Sequence, residues 1–467
     1  MDFLGKKVVI MGLGLYKEGS GISAAKFFIS RGAKVTITDL KNKKELQTQI
    51  TELNKFCKNF QLPASSFQLI LGRHRMGDFK TADIVVQNPG ARRESPYLLA
   101  ARSAGAKIVS DISIFFSLSP TENIIGVTGT RGKSTTSALI AAMLKSVDRH
   151  TELGGNILRS PLNFLDKIHE GGSAVLELSS WQCESLGEIK KSPRIAVVTN
   201  IMRDRLNTYK GMKQYAEAKS LIYKYQSPED AVVLNRDNAW TQKMGKEVTS
   251  RRYWISLKPF GEENGAFLKG KNIFFRDSGK EEAVAGVSDM FLAGEHNLIN
   301  ALAAITVAKL MRVPTSKIKK ALKSFKGLPG RIELIRELRG VKFVNDTTAT
   351  TPDAVAAALK TLGKVKNVVL ICGGSDKKLK YKELTPVVRK YVKSLLFLPG
   401  TATEKMKKIR KDYQEVKNMK EAVKEAADVA KRGDVVLLSP GAASFGLFQN
   451  EFDRGEQFIQ SVKKLRG

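Results

Sequence analysis

A glycine-rich segment, Gly129-Thr-Arg-Gly-Lys-Ser-Thr-Thr136, constrains the fold of this chain more than any other stretch. The apolar run before it predicts a buried strand, and the run after it predicts a helix. A glycine turn between a strand and a helix points backbone N–H groups and the helix dipole at an anion. In such a loop Lys133 would reach the outer phosphates of a nucleotide and Ser134 would face Mg²⁺. Val127 stands where a full Walker A motif has its first glycine, so an ordinary glycine-rich turn is the alternative.

The charge of the chain is strongly positive, with 78 Lys and Arg against 46 Asp and Glu, a net charge of +32 over 467 residues. Such a balance is compatible with nucleic-acid binding. The lysines are spread along the chain, however, and no signature with interleaved aromatic residues accompanies them. We therefore do not expect nucleic acid as a partner, and a basic nucleic-acid-binding ATPase stays as an alternative. Part of the charge would steer anionic small substrates.

Several features favour a cytoplasmic protein without membrane insertion. No apolar run approaches the ~18 residues that a membrane-spanning helix needs. The first residues lead directly into a predicted strand and lack the layout of a signal peptide. The three cysteines, Cys57, Cys183 and Cys372, lie far apart and suit a reducing compartment.

Strand and helix patterns alternate along the whole chain, which predicts an α/β fold with parallel sheets. The length suggests about three domains. We predict a Rossmann-like N-terminal domain at residues 1–117, a central P-loop ATPase-like domain at 118–328, and a Rossmann-like C-terminal domain at 329–467.

The N-terminal domain has candidate ligand residues at the predicted carboxyl ends of its strands. Gly14 belongs to a glycine turn, 12–21, that is longer than a strict G-x-G-x-x-G fingerprint. Asp39 ends the second strand, where it would meet a ribose or serve the turn. Asn88 and Gly90 belong to a Pro-Gly turn after a later strand.

In the central domain, Glu177 ends a predicted strand beside the phosphate loop, where a carboxylate can bind Mg²⁺ directly or cap the next helix. Lys219 lies in a helix pattern, and a single lysine there is usually solvated. Asn297 and Asn300 share one helical face near a helix start, where carboxamides read a base or ribose, or cap the helix.

In the C-terminal domain, three loops each follow a predicted strand, at 345–353, 373–377 and 439–445. The carboxyl ends of parallel strands meet at one edge of a sheet. We therefore expect these loops to converge on one site for a polar substrate.

Taken in order, these segments resemble the Mur ligase family over nearly the whole chain. The resemblance is carried by short motifs at residues 129–134, 177–180, 199–200, 218–219, 294–300 and 328–331. Within the family it is strongest to the members that add D-glutamate, on the residues 345–350, 373–377, 438–444 and 448–455.

The resemblance implies an ATP-dependent amide ligase of peptidoglycan precursor synthesis. ATP would phosphorylate the carboxylate of UDP-N-acetylmuramoyl-L-alanine, and the amine of D-glutamate would attack the acyl phosphate, giving an amide, ADP and phosphate. It also implies one or two Mg²⁺ ions and a monomer. A sibling ligase for another amino acid, such as L-alanine, and a nucleotide-binding relative without catalysis are the alternatives.

The resemblance assigns the UDP substrate to the N-terminal domain, ATP to the central domain and the amino acid to the C-terminal domain, and it also assigns residues. Catalytic roles fall on Lys133, Glu177, Lys219 and Arg205. Metal ligands would be Ser134, Glu177 and a carbamylated Lys219. ATP-binding positions are Gly129, Thr130, Arg131, Gly132, Lys133, Ser134, Thr135, Asn297, Asn300, Arg331 and Asp346. Substrate-binding positions are Gly14, Asp39, Asn88, Gly90, Asn156, Ser179, Thr350, Lys377, Ser444 and Phe445.

Three positions depart from the family pattern. Arg205 stands where the family has a metal-binding histidine, and arginine stays protonated and does not ligate metals. Either the second Mg²⁺ site is lost, or Arg205 contacts the transferring phosphate directly. Thr348 replaces an expected lysine, and Gly330 replaces an expected histidine.

Overall fold

The computed structural model describes residues 2–147, 150–157, 159–204, 208–292, 294–377, 379–444 and 446–466. It contains three β-sheets with helices between their strands. The chain forms two compact units, one of residues 1–291 with 295–325 and one of residues 292–294 with 326–467. The first unit contains two of the sheets and the second contains the third. The α/β prediction with three such regions is confirmed, whereas the exact domain boundaries stay predictions.

The N-terminal sheet has five strands, all parallel, in the order β3-β2-β1-β4-β5. Its strands are β1 (Lys7–Met11), β2 (Lys34–Asp39), β3 (Phe67–Leu71), β4 (Ile84–Gln87) and β5 (Lys107–Val109). Its helices are α1 (Ser20–Ile29), α2 (Gln47–Asn59), α3 (Met76–Lys80), α4 (Pro96–Ser103) and α5 (Asp111–Leu118). The strand order reverses between β1 and β4, which creates a crevice where open α/β sheets bind ligands. The turn that begins at Gly12 follows β1 at this crevice.

The central sheet has nine strands in the order β14-β13-β12-β11-β10-β9-β6-β8-β7. They are β6 (Ile124–Thr128), β7 (Thr151–Gly155), β8 (Ser173–Glu177), β9 (Ile195–Val198), β10 (Ala231–Asn235), β11 (Arg251–Ser256), β12 (Gly265–Lys269), β13 (Asn272–Asp277) and β14 (Lys280–Gly286). The helices are α6 (Lys133–Lys145), α7 (Ser180–Glu188), α8 (Met212–Ser220), α9 (Ala239–Met244), α10 (Glu295–Leu310) and α11 (Thr315–Ser324). The strand and the helix predicted on either side of the phosphate loop are confirmed as β6 and α6.

The prediction of purely parallel sheets is wrong for the last strands of the central sheet. β13 pairs antiparallel with both β12 and β14. Two-residue connections, 270–271 and 278–279, join these strands, and such short turns allow only antiparallel neighbours. The Ser-Gly pair at 278–279 was a hairpin signal in the sequence.

The third sheet has six strands in the order β15-β16-β20-β17-β18-β19. They are β15 (Glu333–Leu338), β16 (Val341–Asn345), β17 (Val368–Gly373), β18 (Val392–Leu398), β19 (Gln414–Glu415) and β20 (Val435–Leu438). The helices are α12 (Pro352–Leu362), α13 (Thr385–Tyr391), α14 (Thr401–Met406), α15 (Met419–Val429) and α16 (Glu451–Lys463). The three strands predicted here are confirmed, and all pairs are parallel except β15 with β16.

One apolar core runs from the helices of the N-terminal sheet into the central sheet. Phe115 of α5 and Phe164, after β7, are both buried, and their ring centroids lie 5.5 Å apart. The two sheets of the first unit are therefore held together by packed aromatic side chains. In the described part of the chain, no helix has the length and the apolar character that crossing a membrane requires.

The close approach of β11 and β12 at Gly265 can be tested by substitution. The φ of Gly265 is +138°, and a Cβ there would overlap the carbonyl oxygen of Trp254. We expect Gly265→Ala to lower the free energy of unfolding by about 3 kcal/mol or more, because backbone strain and overlap add. Gly270→Ala is the matched control, since φ is also positive but nothing lies within 4 Å. That control should cost about 1 kcal/mol, and equal losses in urea denaturation would contradict the prediction.

Candidate active site

The phosphate loop is held in place by the segment that follows β9. The backbone N–H groups of Thr130 and Arg131 donate to Asn200, to its carbonyl oxygen at 2.8 Å and its side-chain oxygen at 3.0 Å. The Thr199 hydroxyl donates to the Arg131 carbonyl oxygen at 2.6 Å. The segment after β9 thus fixes the backbone of the loop at Thr130 and Arg131. Sequence analysis noted the Thr199-Asn200 pair but did not assign it this role.

The loop turns into α6 through Gly132, whose φ of +83° is left-handed. A Cβ at Gly132 would overlap the side-chain oxygen of Asn300, which lies on α10. The same oxygen accepts a hydrogen bond from Thr136 at 3.3 Å. Asn300 therefore packs against the phosphate loop and does not cap α10. Its contact with a nucleotide stays a prediction.

Lys133 and Ser134 occupy the first two positions of α6. The Lys133 ammonium group donates to the Thr130 carbonyl oxygen at 3.2 Å, so its side chain folds over the loop. Ser134 is buried. Both residues lie where the helix dipole favours an anion.

Lys219 of α8 is 2 % exposed, so its interpretation as a solvated surface lysine is wrong. Its ammonium group donates to the Thr128 hydroxyl at 3.2 Å and to the Gly129 carbonyl oxygen at 2.9 Å. It also lies 5.1 Å from the centre of the Tyr215 ring. The Tyr215 hydroxyl is 3.3 Å from the Thr130 hydroxyl. One turn of α8 thus places two side chains against the phosphate loop.

Sequence analysis missed Tyr215. The signal that points to it is its position four residues before Lys219, since residues at that spacing share a helix face.

Glu177 ends β8 and is 2 % exposed. Its Oε1 atom accepts a hydrogen bond from the Asn156 amide at 2.9 Å. Its Oε2 atom is buried and has no hydrogen-bond partner among the described residues. A buried carboxylate oxygen without a partner is costly, and a divalent cation with oxygen ligands would satisfy it.

The alternative role of Glu177 as a helix cap is wrong. The Ser179 hydroxyl caps α7 by accepting from the backbone N–H of Gln182 at 3.3 Å. The described residues contain no group of three or more His, Cys, Asp or Glu side chains that would hold a metal. A Mg²⁺ site built from Glu177 and the Ser134 hydroxyl fits the donor chemistry, because Mg²⁺ keeps several waters and needs few protein ligands.

The three cysteines are buried and free. Burial raises the pKa of the Cys183 thiol to about 11, although the Lys219 charge partly opposes this. Cys183 is therefore a neutral thiol at pH 7, which argues against a thiolate nucleophile beside the loop.

In the N-terminal sheet, Asp39 and Asn88 shape the glycine turn after β1. The Asp39 carboxylate accepts from the backbone N–H of Leu13 at 2.9 Å and that of Lys41 at 2.9 Å. The Asn88 amide donates to the Gly12 carbonyl oxygen at 2.8 Å. The turn role of Asp39 is thus observed, and its contact with a ribose stays a prediction. The other two candidates here are Gly14, in the same turn, and Gly90, which is exposed.

In the second unit, Asp346 follows β16 and is nearly buried. Its carboxylate accepts from the Ser439 hydroxyl at 2.8 Å and from the backbone N–H of Ile332 at 3.2 Å. Burial raises the pKa of Asp346 to about 7, against the opposing effect of these hydrogen bonds and the nearby Arg331 charge. Asp346 thereby joins Ile332, in the linker before β15, to the carboxyl ends of β16 and β20.

The three strand-end loops of the second unit converge, as predicted. The Lys377 ammonium group donates to the Thr350 hydroxyl at 2.9 Å. Ser375 and Ala443 exchange backbone hydrogen bonds at 2.9 and 3.1 Å. A cation and a hydroxyl side by side suit a carboxylate ligand. The remaining described candidate of this pocket, Ser444, is buried next to Ala443.

Arg454 is the buried side chain that sequence analysis missed in this unit. Its guanidinium donates to the Thr347 hydroxyl at 3.1 Å, to the Thr347 carbonyl oxygen at 2.8 Å and to the Ala442 carbonyl oxygen at 3.2 Å. Burial lowers the pKa of Arg454 to about 10. Arg454 lies within the 448–455 segment that carries the resemblance, but an arginine in a helix pattern gives no sign of burial.

Two of the departing positions contact each other. Thr348 donates to the Gly330 carbonyl oxygen from its hydroxyl at 2.9 Å and from its backbone N–H at 3.1 Å. The linker and the strand-end loop are therefore joined at these two residues.

Arg205 and Phe445 lie outside the described residues. Asn297 is in the first turn of α10, and Arg331 is exposed just before β15.

These arrangements define an α/β protein with a glycine-rich phosphate loop in one unit and a polar pocket in the other. Three family models match the chain: the MurD-like N-terminal domain of Mur ligases at residues 6–110, the Mur ligase middle domain at 127–308, and the Mur ligase glutamate ligase domain at 330–441. The chain belongs to the Mur ligase family.

Its similar relatives include UDP-N-acetylmuramoylalanine–D-glutamate ligases. The one from Roseiflexus sp. strain RS-1 is 39% identical, with 100% of both chains covered. The one from Acetivibrio thermocellus is 36% identical, with 98% of this chain and 97% of the relative covered.

Solved structures share the fold. The UDP-N-acetylmuramate–alanine ligase MurC of Thermotoga maritima matches with a TM-score of 0.61 at 18% identity, covering 98% of this chain and 99% of that one. The MurF ligase of Thermotoga maritima, in complex with ADP, matches with a TM-score of 0.58 at 18% identity over 99% of both chains.

Asp346 should make stability depend on pH in one direction. An unfolded aspartate has a pKa of about 3.9, whereas that of folded Asp346 is about 7. Between these values the folded chain keeps a proton that the unfolded chain has lost. The group therefore lowers the free energy of unfolding as pH rises, by at most about 1.4 kcal/mol per pH unit. Asp346→Asn removes this effect.

Urea denaturation between pH 4 and 7 measures this pH dependence of the free energy of unfolding. We expect the stability of Asp346→Asn relative to the unsubstituted chain to increase over that range. A constant difference would show that Asp346 does not titrate there.

The variant Glu177→Gln should distinguish Mg²⁺ binding from nucleotide binding. We expect this variant to bind ADP but to lose the extra rise in Tm that Mg²⁺ adds to that of ADP, because the amide lacks the charge that holds the cation. Without Mg²⁺ its Tm should equal or exceed that of the unsubstituted chain, since a buried unpaired charge is removed.

Glu152→Gln is the matched control for this experiment. Glu152 lies on the adjacent strand β7 and is paired with Arg159 at 2.6 Å. This variant should keep the Mg²⁺-dependent rise, and a rise that persists in Glu177→Gln would exclude Glu177 as a metal ligand.

Proposed function

We propose that the chain is an ATP-dependent amide ligase that adds D-glutamate to UDP-N-acetylmuramoyl-L-alanine in peptidoglycan precursor synthesis. The observation that carries the reaction class is the phosphate loop with Lys219 buried against it, together with Glu177, whose one carboxylate oxygen is unpaired. The choice of amino acid is supported by relatives 33–39% identical over the full length, all with this activity in their names.

The reaction needs positioning and charge neutralisation more than acid–base groups. A carboxylate oxygen of the UDP substrate attacks the γ-phosphorus of ATP, and ADP leaves. The D-glutamate amine then attacks the acyl carbon, a proton is lost from nitrogen, and the C–O bond to phosphate breaks. The loop N–H groups that do not donate to Asn200, together with the Lys133 ammonium group, would hold the phosphates through these steps.

The residues that would hold Mg²⁺ are Ser134 and Glu177. When bound, Mg²⁺ neutralises charge on the phosphate being transferred. Lys219 would join them as a carbamate, formed when its neutral amine adds to CO₂ and loses a proton. This is supported by burial of Lys219 beside the loop, since carbamylation turns a cation into an anion that binds metal.

The other assignments divide between nucleotide and substrates. Asn297, Asn300, Arg331 and Asp346 would contact the nucleotide. Thr350, Lys377, Ser444 and Phe445 would bind D-glutamate, with the ammonium group of Lys377 opposite a carboxylate. Gly14, Asp39, Asn88, Gly90, Asn156 and Ser179 would bind the UDP substrate or a phosphate. We place the reaction in the cytoplasm and expect a monomer.

Phosphate release with an amino-acid panel tests this function. With UDP-N-acetylmuramoyl-L-alanine, ATP and Mg²⁺, we expect release that depends on D-glutamate and exceeds that with L-glutamate, D-aspartate or L-alanine by at least tenfold. No release above the control without amino acid would refute the ligase activity. Preferential use of L-alanine would instead indicate a sibling ligase, and ATP hydrolysis stimulated by DNA or RNA would favour the nucleic-acid alternative.

A further inference from the structure

Asp111 is a buried carboxylate to which the proposed reaction assigns no role. It is 1 % exposed at the first position of α5. No ion pair with a cation is seen for it within the described residues. The helix does not need it as a cap, because Ser110 and Ser113 form a capping box there. Burying a carboxylate without a cation is costly, so its position calls for a reason.

The Oδ1 atom of Asp111 accepts from the backbone N–H of the adjacent Ile112 at 2.9 Å. Its side-chain partners come from two segments that are distant in sequence. Its Oδ2 atom accepts from the Ser160 hydroxyl at 2.8 Å. A second side-chain hydrogen bond comes from Ser20, the first residue of α1. Burial raises the pKa of Asp111, and these bonds oppose that rise. Asp111 thus joins the end of the glycine turn after β1 to the segment after β7.

Further hydrogen bonds join the same two segments. The Glu18 carbonyl oxygen accepts from the backbone N–H of Ser160 at 2.8 Å and from the Asn163 amide at 3.1 Å. The Ser23 hydroxyl lies 3.1 Å from the Asn163 side-chain oxygen. The glycine turn is therefore attached at several points to residues 160–163.

The segment that holds the turn also holds the candidate metal ligand. Asn156, four residues before Ser160, donates from its backbone N–H to the Glu177 carbonyl oxygen at 2.8 Å. Its side-chain amide donates to Glu177 Oε1 at 2.9 Å. A backbone hydrogen bond from Gly155 to Arg159, 2.8 Å long, closes the loop between the two attachments. A short, bonded path thus runs from the glycine turn through Asp111 and Ser160 to Glu177.

We propose that Asp111 is a positioning residue which, through Ser160, fixes the glycine turn after β1 relative to Glu177. The inference rests on the proposed function, in which that turn binds the UDP substrate and Glu177 holds the metal at the transferring phosphate. Asp111 touches neither substrate. It sets the alignment of the acceptor carboxylate with the γ-phosphorus, and a displacement of about 1 Å between reacting groups can cost roughly 100-fold in rate.

Steady-state phosphate release by the full-length protein tests this with Asp111→Asn and Ser160→Ala. We expect kcat to fall at least tenfold in both variants, while the KM for ATP stays within twofold. The double variant should be no slower than the slower single variant, because Asp111→Asn weakens the hydrogen bond by removing its carboxylate acceptor and Ser160→Ala removes the same bond.

Ser250→Ala is the matched control. Ser250 is also buried, and its hydroxyl donates to the Gln226 side-chain oxygen at 2.8 Å, away from this path. It should keep the kcat of the unsubstituted chain with a loss of Tm similar to that of Ser160→Ala. If Asp111→Asn does not fold, Ser160→Ala decides the question.

The outcomes separate the two proposals. Active unsubstituted enzyme with a kcat in Ser160→Ala equal to that of the control would overturn the positioning role alone. A KM for ATP that rises in proportion to the loss of kcat would also overturn it, because general damage then explains the loss. No release by the unsubstituted enzyme would overturn the proposed function together with this inference.

Discussion

The burial of the unmodified Lys219 ammonium group against the phosphate loop is the interaction on which the first unit depends most. A cation in the interior is tolerated only when hydrogen bonds replace its hydration. The Gly129 carbonyl oxygen and the Thr128 hydroxyl supply them, so α8 must lie against the end of β6. The same helix turn brings Tyr215 to Thr130. The shape of the phosphate loop and the location of α8 are therefore set by one group of polar contacts.

The sequence predicted those parts of the fold whose cause is local. Buried strands such as β9 and β20 are continuous apolar runs, and the glycines of the phosphate loop mark a turn whose backbone few other residues adopt. The parallel order of the first sheet follows from regular alternation of strands and helices. The two hairpins after β12 were missed because the prediction of parallel sheets followed the strand–helix alternation and did not use the two-residue turns as hairpin signals.

The parts that sequence did not predict depend on contacts between distant segments. Arg454 and Asp111 are buried and Asn200 is partly buried, and nothing in their neighbours along the sequence shows what these polar side chains bind. Each bonds to backbone or hydroxyl groups from another part of the chain. Glu177 was predicted as a metal ligand from its place at a strand end, but only its surroundings show that one oxygen lacks a partner.

The strand β14, at one edge of the central sheet, bears on aggregation through that edge. An edge strand offers unpaired backbone groups to which another chain can add. In β14 the first residues are charged and exposed, and Glu282 is held in an ion pair with Lys309 of α10. A second copy that added a strand here would meet Lys280 and Glu281 at the start of the edge. The charged start of β14 therefore disfavours aggregation through the edge of a nine-stranded sheet.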